Sequence, residues 1–108
     1  MNRLVFFICS NLKYWPLLEY NYVLLRRFNP FLDALCIIPN GFVPPKIPYG
    51  LRVFEAGEFG GQGLDARFRI LDWSNFKDYN SFLYLDSDAF VHGELGPLFE
   101  VIETDKSK

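Results

Sequence analysis

Two carboxylates stand one residue apart at the end of an apolar run: Phe82-Leu83-Tyr84-Leu85 leads into Asp86-Ser87-Asp88. Carboxylates that close repel each other unless something cationic lies between them. A hard divalent cation meets that need, because Mg²⁺ and Mn²⁺ prefer oxygen ligands and bridge readily to phosphates. Side chains alternate along extended chain, so Asp86 and Asp88 are expected on one side and Ser87 on the other. The pair therefore suggests metal-assisted handling of a phosphorylated ligand. Strands also end in Asp for no catalytic reason, so the elements that deliver the pair decide its meaning.

Other reactive residue types carry less. His92 follows Asp88 by four positions and reads as a surface histidine. Gly60-Gly61-Gln62-Gly63 lacks the Lys-Ser/Thr ending of a phosphate loop and reads as a mobile loop near the site. Cys9 and Cys36 sit inside apolar runs and read as two reduced, buried thiols on neighbouring strands. A disulfide framework needs more cysteines, and a zinc site needs closer spacing. Trp15, Tyr20, Tyr22 and Trp73 read as packing aromatics. Glu55, Glu58, Asp65 and Asp72 read as solvated or capping groups.

The positioning elements follow from periodicity. Residues 4–9 are apolar throughout, which fits a strand buried on both faces in a parallel sheet. Ser10-Asn11 turns the chain. A helix is predicted over residues 15–28, with Pro16 in its first turn and Leu17, Leu18, Leu24, Leu25 and Phe28 on one face. Arg26 and Arg27 suit the helix C-terminus, and Asn29-Pro30 stops it. A second buried strand is predicted over 33–38, completing a strand–helix–strand unit of the kind that crosses over right-handedly between parallel strands. The proline-rich residues 39–50 read as an ordered surface loop. A short strand at 51–55, a flexible loop at 57–63, a helix at 64–73 with Leu64, Phe68 and Leu71 on one face, and a strand at 82–85 follow. Phe90-Val91 is expected to continue extended, before a short helix near 97–100 and a frayed tail from 103.

At 108 residues the chain is long enough for one small domain, taken as residues 1–108 and expected to be marginally stable. Half its residues are hydrophobic and 19% are aromatic, which excludes global disorder. A net charge of −2 gives no footprint for nucleic acid or a membrane surface. No apolar run is long enough to span a bilayer. The apolar N-terminus is too short for a signal peptide and lacks a small-residue cleavage site. A soluble, cytoplasmic protein is expected. The fold class predicted is α/β, a mostly parallel sheet with flanking helices and a Rossmann-like start.

Residues 64–100 carry a more specific pattern. A helix bearing Arg67 and Arg69 is followed by Asp78-Tyr79, the strand into Asp86-Ser87-Asp88, and then Gly93-Glu94-Leu95 and Leu98-Phe99. This order resembles the glycogenin-like family 8 glycosyltransferases, which have the GT-A fold. The first strand followed by Ser10, Asn11 and Tyr14 is also similar to the nucleotide-binding start of that family. The resemblance covers most of residues 3–100, specifically in the second half and loosely in the middle. It implies that Asp86 and Asp88 bind Mn²⁺ (or Mg²⁺) against a nucleoside-diphosphate sugar, most naturally a UDP-sugar. It implies further that Asp86 approaches the ribose, with Ser87 beside it at the donor, and that Arg69 rather than Arg67 contacts the diphosphate. Tyr14 would lie on the uracil, with Cys9, Ser10 and Asn11 contacting base and ribose. The saccharide or protein acceptor is not indicated, nor is a catalytic residue on its side, nor a retaining or inverting outcome. Family enzymes are about twice this length or more, so the chain is expected to be a truncated, donor-binding half.

Two other readings stay open. A phosphatase of the haloacid dehalogenase type also places Asp-x-Asp after an apolar strand, with the first Asp as nucleophile. That motif usually opens its domain and continues with a small Thr or Val, where this chain has Ala89-Phe90. The alternative is a non-catalytic fragment or partner-dependent binding module. A long exposed sheet edge would favour association with another chain.

Overall fold

Four consecutive residues, Leu4, Val5, Phe6 and Phe7, are buried, so water reaches neither face of the strand that holds them. Such a strand needs neighbours on both sides and a layer over each face. The computed structural model, which describes residues 2–57 and 66–105, meets that need with four parallel strands. They are β1 (Arg3–Ile8), β2 (Asp33–Ile38), β3 (Arg52–Glu55) and β4 (Ser81–Tyr84), in spatial order β3-β2-β1-β4. The all-parallel α/β sheet with flanking helices agrees with the sequence reading. Each strand lies within one residue of its predicted bounds.

Alternation along the strands divides the core in two. Val5, Phe7, Cys9, Ala34, Cys36 and Ile38 face α1 (Trp15–Phe28) and α2 (Gly96–Asp105). Leu4, Phe6, Leu35 and Ile37 face Ile70 and Trp73, from the 3-10 segment Ala66–Asp72 and the turn after it. α1 has the predicted bounds but a different inner face. Trp15, Leu18, Asn21, Tyr22 and Leu25 are buried, whereas Leu17 and Phe28 are exposed. The aromatic at the N-terminus defines the stripe, and Leu17 falls outside it at helical spacing. Tyr20 is also exposed, with its ring edge-on to Phe90 at 5.4 Å.

Three expectations need correction. The helix predicted over 64–73 is a 3-10 segment where it is described. Its period of about three residues, against about 3.6 in an α-helix, aligns Arg67, Ile70 and Trp73. Ile70 and Trp73 are therefore the buried pair, and Phe68 and Leu71 are exposed. Glu58, Asp65, Leu64 and the glycine-rich residues 60–63 lie outside the described residues. The helix near 97–100 is the longer α2, which takes in Glu103 and Thr104 from the predicted tail. Phe90-Val91 does not extend β4, because the chain turns at residues 86–89.

The proline-rich residues 39–50 are tied down as a surface loop. Trp15 Nε1 donates to the Lys46 carbonyl at 2.8 Å, and the Tyr22 hydroxyl donates to the Tyr49 carbonyl at 2.9 Å. Arg26 Nε donates in turn to the Tyr22 hydroxyl at 2.8 Å and its guanidinium reaches the Leu32 carbonyl. Gly50 passes close over this network with φ of +88°, and a Cβ there would come within 2.8 Å of the Tyr22 hydroxyl. Gly50→Ala should therefore destabilise the protein by about 1–3 kcal/mol, from the left-handed backbone and the crowded hydroxyl together. Urea unfolding checks this, and an unchanged midpoint would refute it.

Glu103 joins three elements. Its carboxylate accepts from Arg3 Nε (2.9 Å) and Nη2 (2.8 Å) on β1, and from the Ser81 hydroxyl (2.7 Å) on β4. The hydrogen bond from Arg3, then that from Ser81, hold its carboxyl at about 2, below its ordinary 4.5. The folded state thus favours the carboxylate. The stabilisation is complete above about pH 4.5 and is lost as pH falls towards 2. The difference in Tm between wild type and Glu103→Gln should be largest near neutrality and should shrink across that window. A difference independent of pH would contradict this assignment.

Candidate functional site

The chain builds outward from β1 through β2 to β3, then returns to lay β4 on the opposite side of β1. Where strand order reverses in this way, the loops leaving the two neighbouring strands diverge and open a crevice at their carboxyl ends. A cleft of about 280 Å³ lies there, lined by Ile8, Cys9, Ser10, Tyr14, Tyr84, Asp86, Ser87 and Asp88. The register that pairs Phe6 with Tyr84 sets the ends of β1 and β4 side by side.

Six of the eight sequence-predicted site residues therefore share one cleft: Cys9, Ser10, Tyr14, Asp86, Ser87 and Asp88. Asn11 does something else. Its side chain caps the short 3-10 turn Leu12–Tyr14, accepting from the Lys13 N–H at 2.9 Å. Arg69 is also elsewhere, 3.6 Å from the Asp72 carboxylate. Neither arginine lines the cleft, but the Arg67 guanidinium lies 5.5 Å over the ring of Tyr84, which does. Lys13 adds a second cation, 5.7 Å over the Tyr14 ring.

Asp86, Ser87 and Asp88 do not alternate as extended chain would. They form a turn closed by the Ala89 N–H donating to the Asp86 carbonyl at 3.0 Å. All three residues consequently line the cleft. Both carboxylates are exposed. One oxygen of Asp86 accepts from the Tyr84 hydroxyl at 2.8 Å, and the Ser87 hydroxyl contacts the Ile8 carbonyl at 3.4 Å. Asn21 of α1 holds the turn from beneath: its Nδ2 donates to the carbonyls of Asp86 (3.4 Å) and Ala89 (3.1 Å), and its Oδ1 accepts from the Val91 N–H (3.0 Å). His92 is exposed and does not line the cleft.

The donor set fits a small hard cation. Mg²⁺ or Mn²⁺ is commonly held by one or two carboxylates, with waters and ligand phosphates completing the shell. Two exposed carboxylates on one turn supply that much. No group of three or more His, Cys, Asp or Glu suited to a metal occurs among the described residues, so an all-protein cage has no support. A larger cleft of about 360 Å³ lies by the amino ends of β1 and β2, against Arg3, Phe28, Asn29 and Glu94. Its cation Arg3 is already engaged by Glu103, and it contains none of the paired carboxylates.

Fold and site together define a parallel α/β domain with a polar, two-carboxylate cleft at its topological switch point. Comparison of the chain with protein families, with curated proteins and with solved structures gives no match. No helix among the described residues is long and apolar enough to cross a membrane.

Asn21, Tyr84 and Arg67 were not singled out as leading site residues from sequence. Asn21 did carry a signal, because it is a poor helix former three residues after Leu18 and four before Leu25, on the buried stripe. Cys9 and Cys36 are free and buried, as expected, on the same face of adjacent strands. Burial pushes both thiols up from the usual range. Iodoacetamide should label neither thiol appreciably at pH 7.5 in the folded protein, since the thiolate is the nucleophile, and should label both in urea. Rapid labelling of the native protein would show that the thiols are not buried as described.

Proposed function

We propose that this chain binds a nucleoside-diphosphate sugar, most naturally a UDP-sugar, through a divalent cation held by Asp86 and Asp88, as the donor-binding part of a GT-A glycosyltransferase. The observation that carries the reading is the shared cleft. Asp86, Ser87 and Asp88 meet Cys9, Ser10 and Tyr14 beside the β1–β4 reversal, where ligands of parallel α/β sheets bind. The resemblance to family 8 glycosyltransferases named these same residues from sequence.

Each group has a role on this reading. Asp86 and Asp88 hold Mn²⁺ or Mg²⁺, which when bound neutralises the diphosphate. Tyr84 fixes one Asp86 oxygen and leaves the other for the cation. Tyr14, 45% exposed, offers a ring face for the base. Ser10 and Ser87 supply polar contacts to the ribose side. Arg67 takes the place first given to Arg69 on the diphosphate side. No acceptor-side catalytic residue is assigned, so the proposal concerns donor binding, with transfer to an acceptor as the activity it serves. The phosphatase reading has less support, because its Asp-x-Asp usually opens the domain and here three strands precede it.

Calorimetric titration of UDP and UDP-sugars, with and without Mn²⁺, tests the proposal. Wild type should bind only with the metal. Asp86→Ala and Asp88→Ala should each weaken binding by more than the roughly 10–100-fold that loss of an outer-shell partner costs. No binding by a folded wild type would sink the donor reading and favour a non-catalytic module. Hydrolysis of a generic phosphomonoester dependent on Asp86 would favour the phosphatase.

A further inference from the structure

Asn21 is fully buried in the middle of α1. A buried carboxamide needs partners for its donor and its acceptor. Both are directed to one segment, 65 to 70 residues away in sequence. Nδ2 donates to the Asp86 and Ala89 carbonyls, which bracket the turn, and Oδ1 accepts from the Val91 N–H, where the turn leaves.

We infer that Asn21 is a positioning residue for the carboxylate pair: it sets the turn at residues 86–89 and thereby the separation of Asp86 and Asp88. The inference rests on the reading of the cleft as a metal and nucleotide site. Without Asn21 the turn keeps its own Ala89–Asp86 bond and the long Ser87 contact to the Ile8 carbonyl, but loses its hydrogen bonds to α1, leaving the Tyr20–Phe90 ring contact beside it. Two carboxylates that share a cation must be held to about 0.5 Å, so a loosened turn weakens the cation before it unfolds the domain.

The same helix supplies the control. Asn29, at its C-terminal cap, donates from Nδ2 to the Gly93 carbonyl (3.0 Å) and accepts at Oδ1 from the Leu95 N–H (2.7 Å). Its bonding is two-ended like that of Asn21, but it grips a segment away from the carboxylates. Loss of either asparagine costs stability, and only loss of Asn21 should reach the cleft.

The experiment compares wild type, Asn21→Ala, Asn21→Asp and Asn29→Ala, each well below its Tm. Amide hydrogen exchange is measured first without ligand, followed by calorimetry with UDP and Mn²⁺. Asn21→Ala should speed exchange at Ala89 and Val91 but not at Leu95, and Asn29→Ala should do the reverse. Asn21→Ala should weaken metal-dependent UDP affinity about tenfold or more, the scale of an outer-shell loss, while Asn29→Ala leaves it unchanged. Asn21→Asp keeps an acceptor for Val91 but presents acceptors to two carbonyls, so it should behave like the alanine variant. Affinity that falls equally in Asn21→Ala and Asn29→Ala would make Asn21 merely structural and overturn the inference. Wild-type affinity in Asn21→Ala would overturn it too. Failure of the wild type to bind UDP sinks the donor reading alone, and the exchange pattern then decides the assignment of Asn21. Should no Asn21 variant fold, the wild-type side-chain amide decides. Exchange far slower than that of exposed Asn40, slowed further by UDP with Mn²⁺, supports the inference. Exchange as fast as that of Asn40 overturns it.

Discussion

Water reaches neither face of β1, and a parallel strand in that position has to have a neighbour on each side and a layer above and below. Burying a large aliphatic or aromatic side chain contributes about 1.5–3 kcal/mol over leaving it exposed, against at most about 1 kcal/mol for an exposed ion pair. The run from Leu4 to Phe7 therefore outweighs any surface contact in setting the architecture. The demand for neighbours brings β2 to one side and β4 to the other. Because the chain fills the first side before it returns to the second, the reversal falls beside β1. The cleft is thus a by-product of covering a greasy strand, and the polar residues that follow β1 and β4 fall into it together.

Polar groups then refine what apolar burial builds. The two asparagines of α1, Asn21 and Asn29, satisfy backbone that would otherwise be buried without partners as the chain runs from β4 to α2. Tyr22 and Trp15 do the same for the proline-rich loop. Glu103 joins α2 to the first residues of β1 and β4 at the amino ends of the strands. Among the described residues, no buried side-chain polar atom lacks a hydrogen bond. The regular layers are apolar, and the irregular connections between them are polar and specified.

Apolar runs were legible in the sequence because they need no partner to be recognised. β1, β2 and the bounds of α1 follow from periodicity, the Pro16 start and the Asn29-Pro30 stop. Asp86-Ser87-Asp88 was legible as a pair, but the turn was not. It is closed by its own Ala89–Asp86 bond and tied down by Asn21, on an element remote in sequence. The 3-10 form of residues 66–72 has a similar origin. Local spacing suggested an α-helix, whereas packing of Ile70 and Trp73 against the sheet goes with the tighter 3-10 period. The length of α2 escaped because polar Glu103 and Thr104 looked like a tail until β1 and β4 gave Glu103 its partners.

The spacing of the two asparagines has one more consequence. Eight residues of α-helix rise about 12 Å, and the four steps from Val91 to Leu95 can reach at most about 13 Å. Helix and loop thus share two points of attachment, Asn21 to Val91 and Asn29 to Leu95. α1 acts as a ruler for a stretch that has no regular structure of its own. Surface loops ordinarily tolerate a residue gained or lost. This one is gauged at both ends, so a change of length there would have to release one asparagine, and a shift at the carboxylate end would carry the cleft with it.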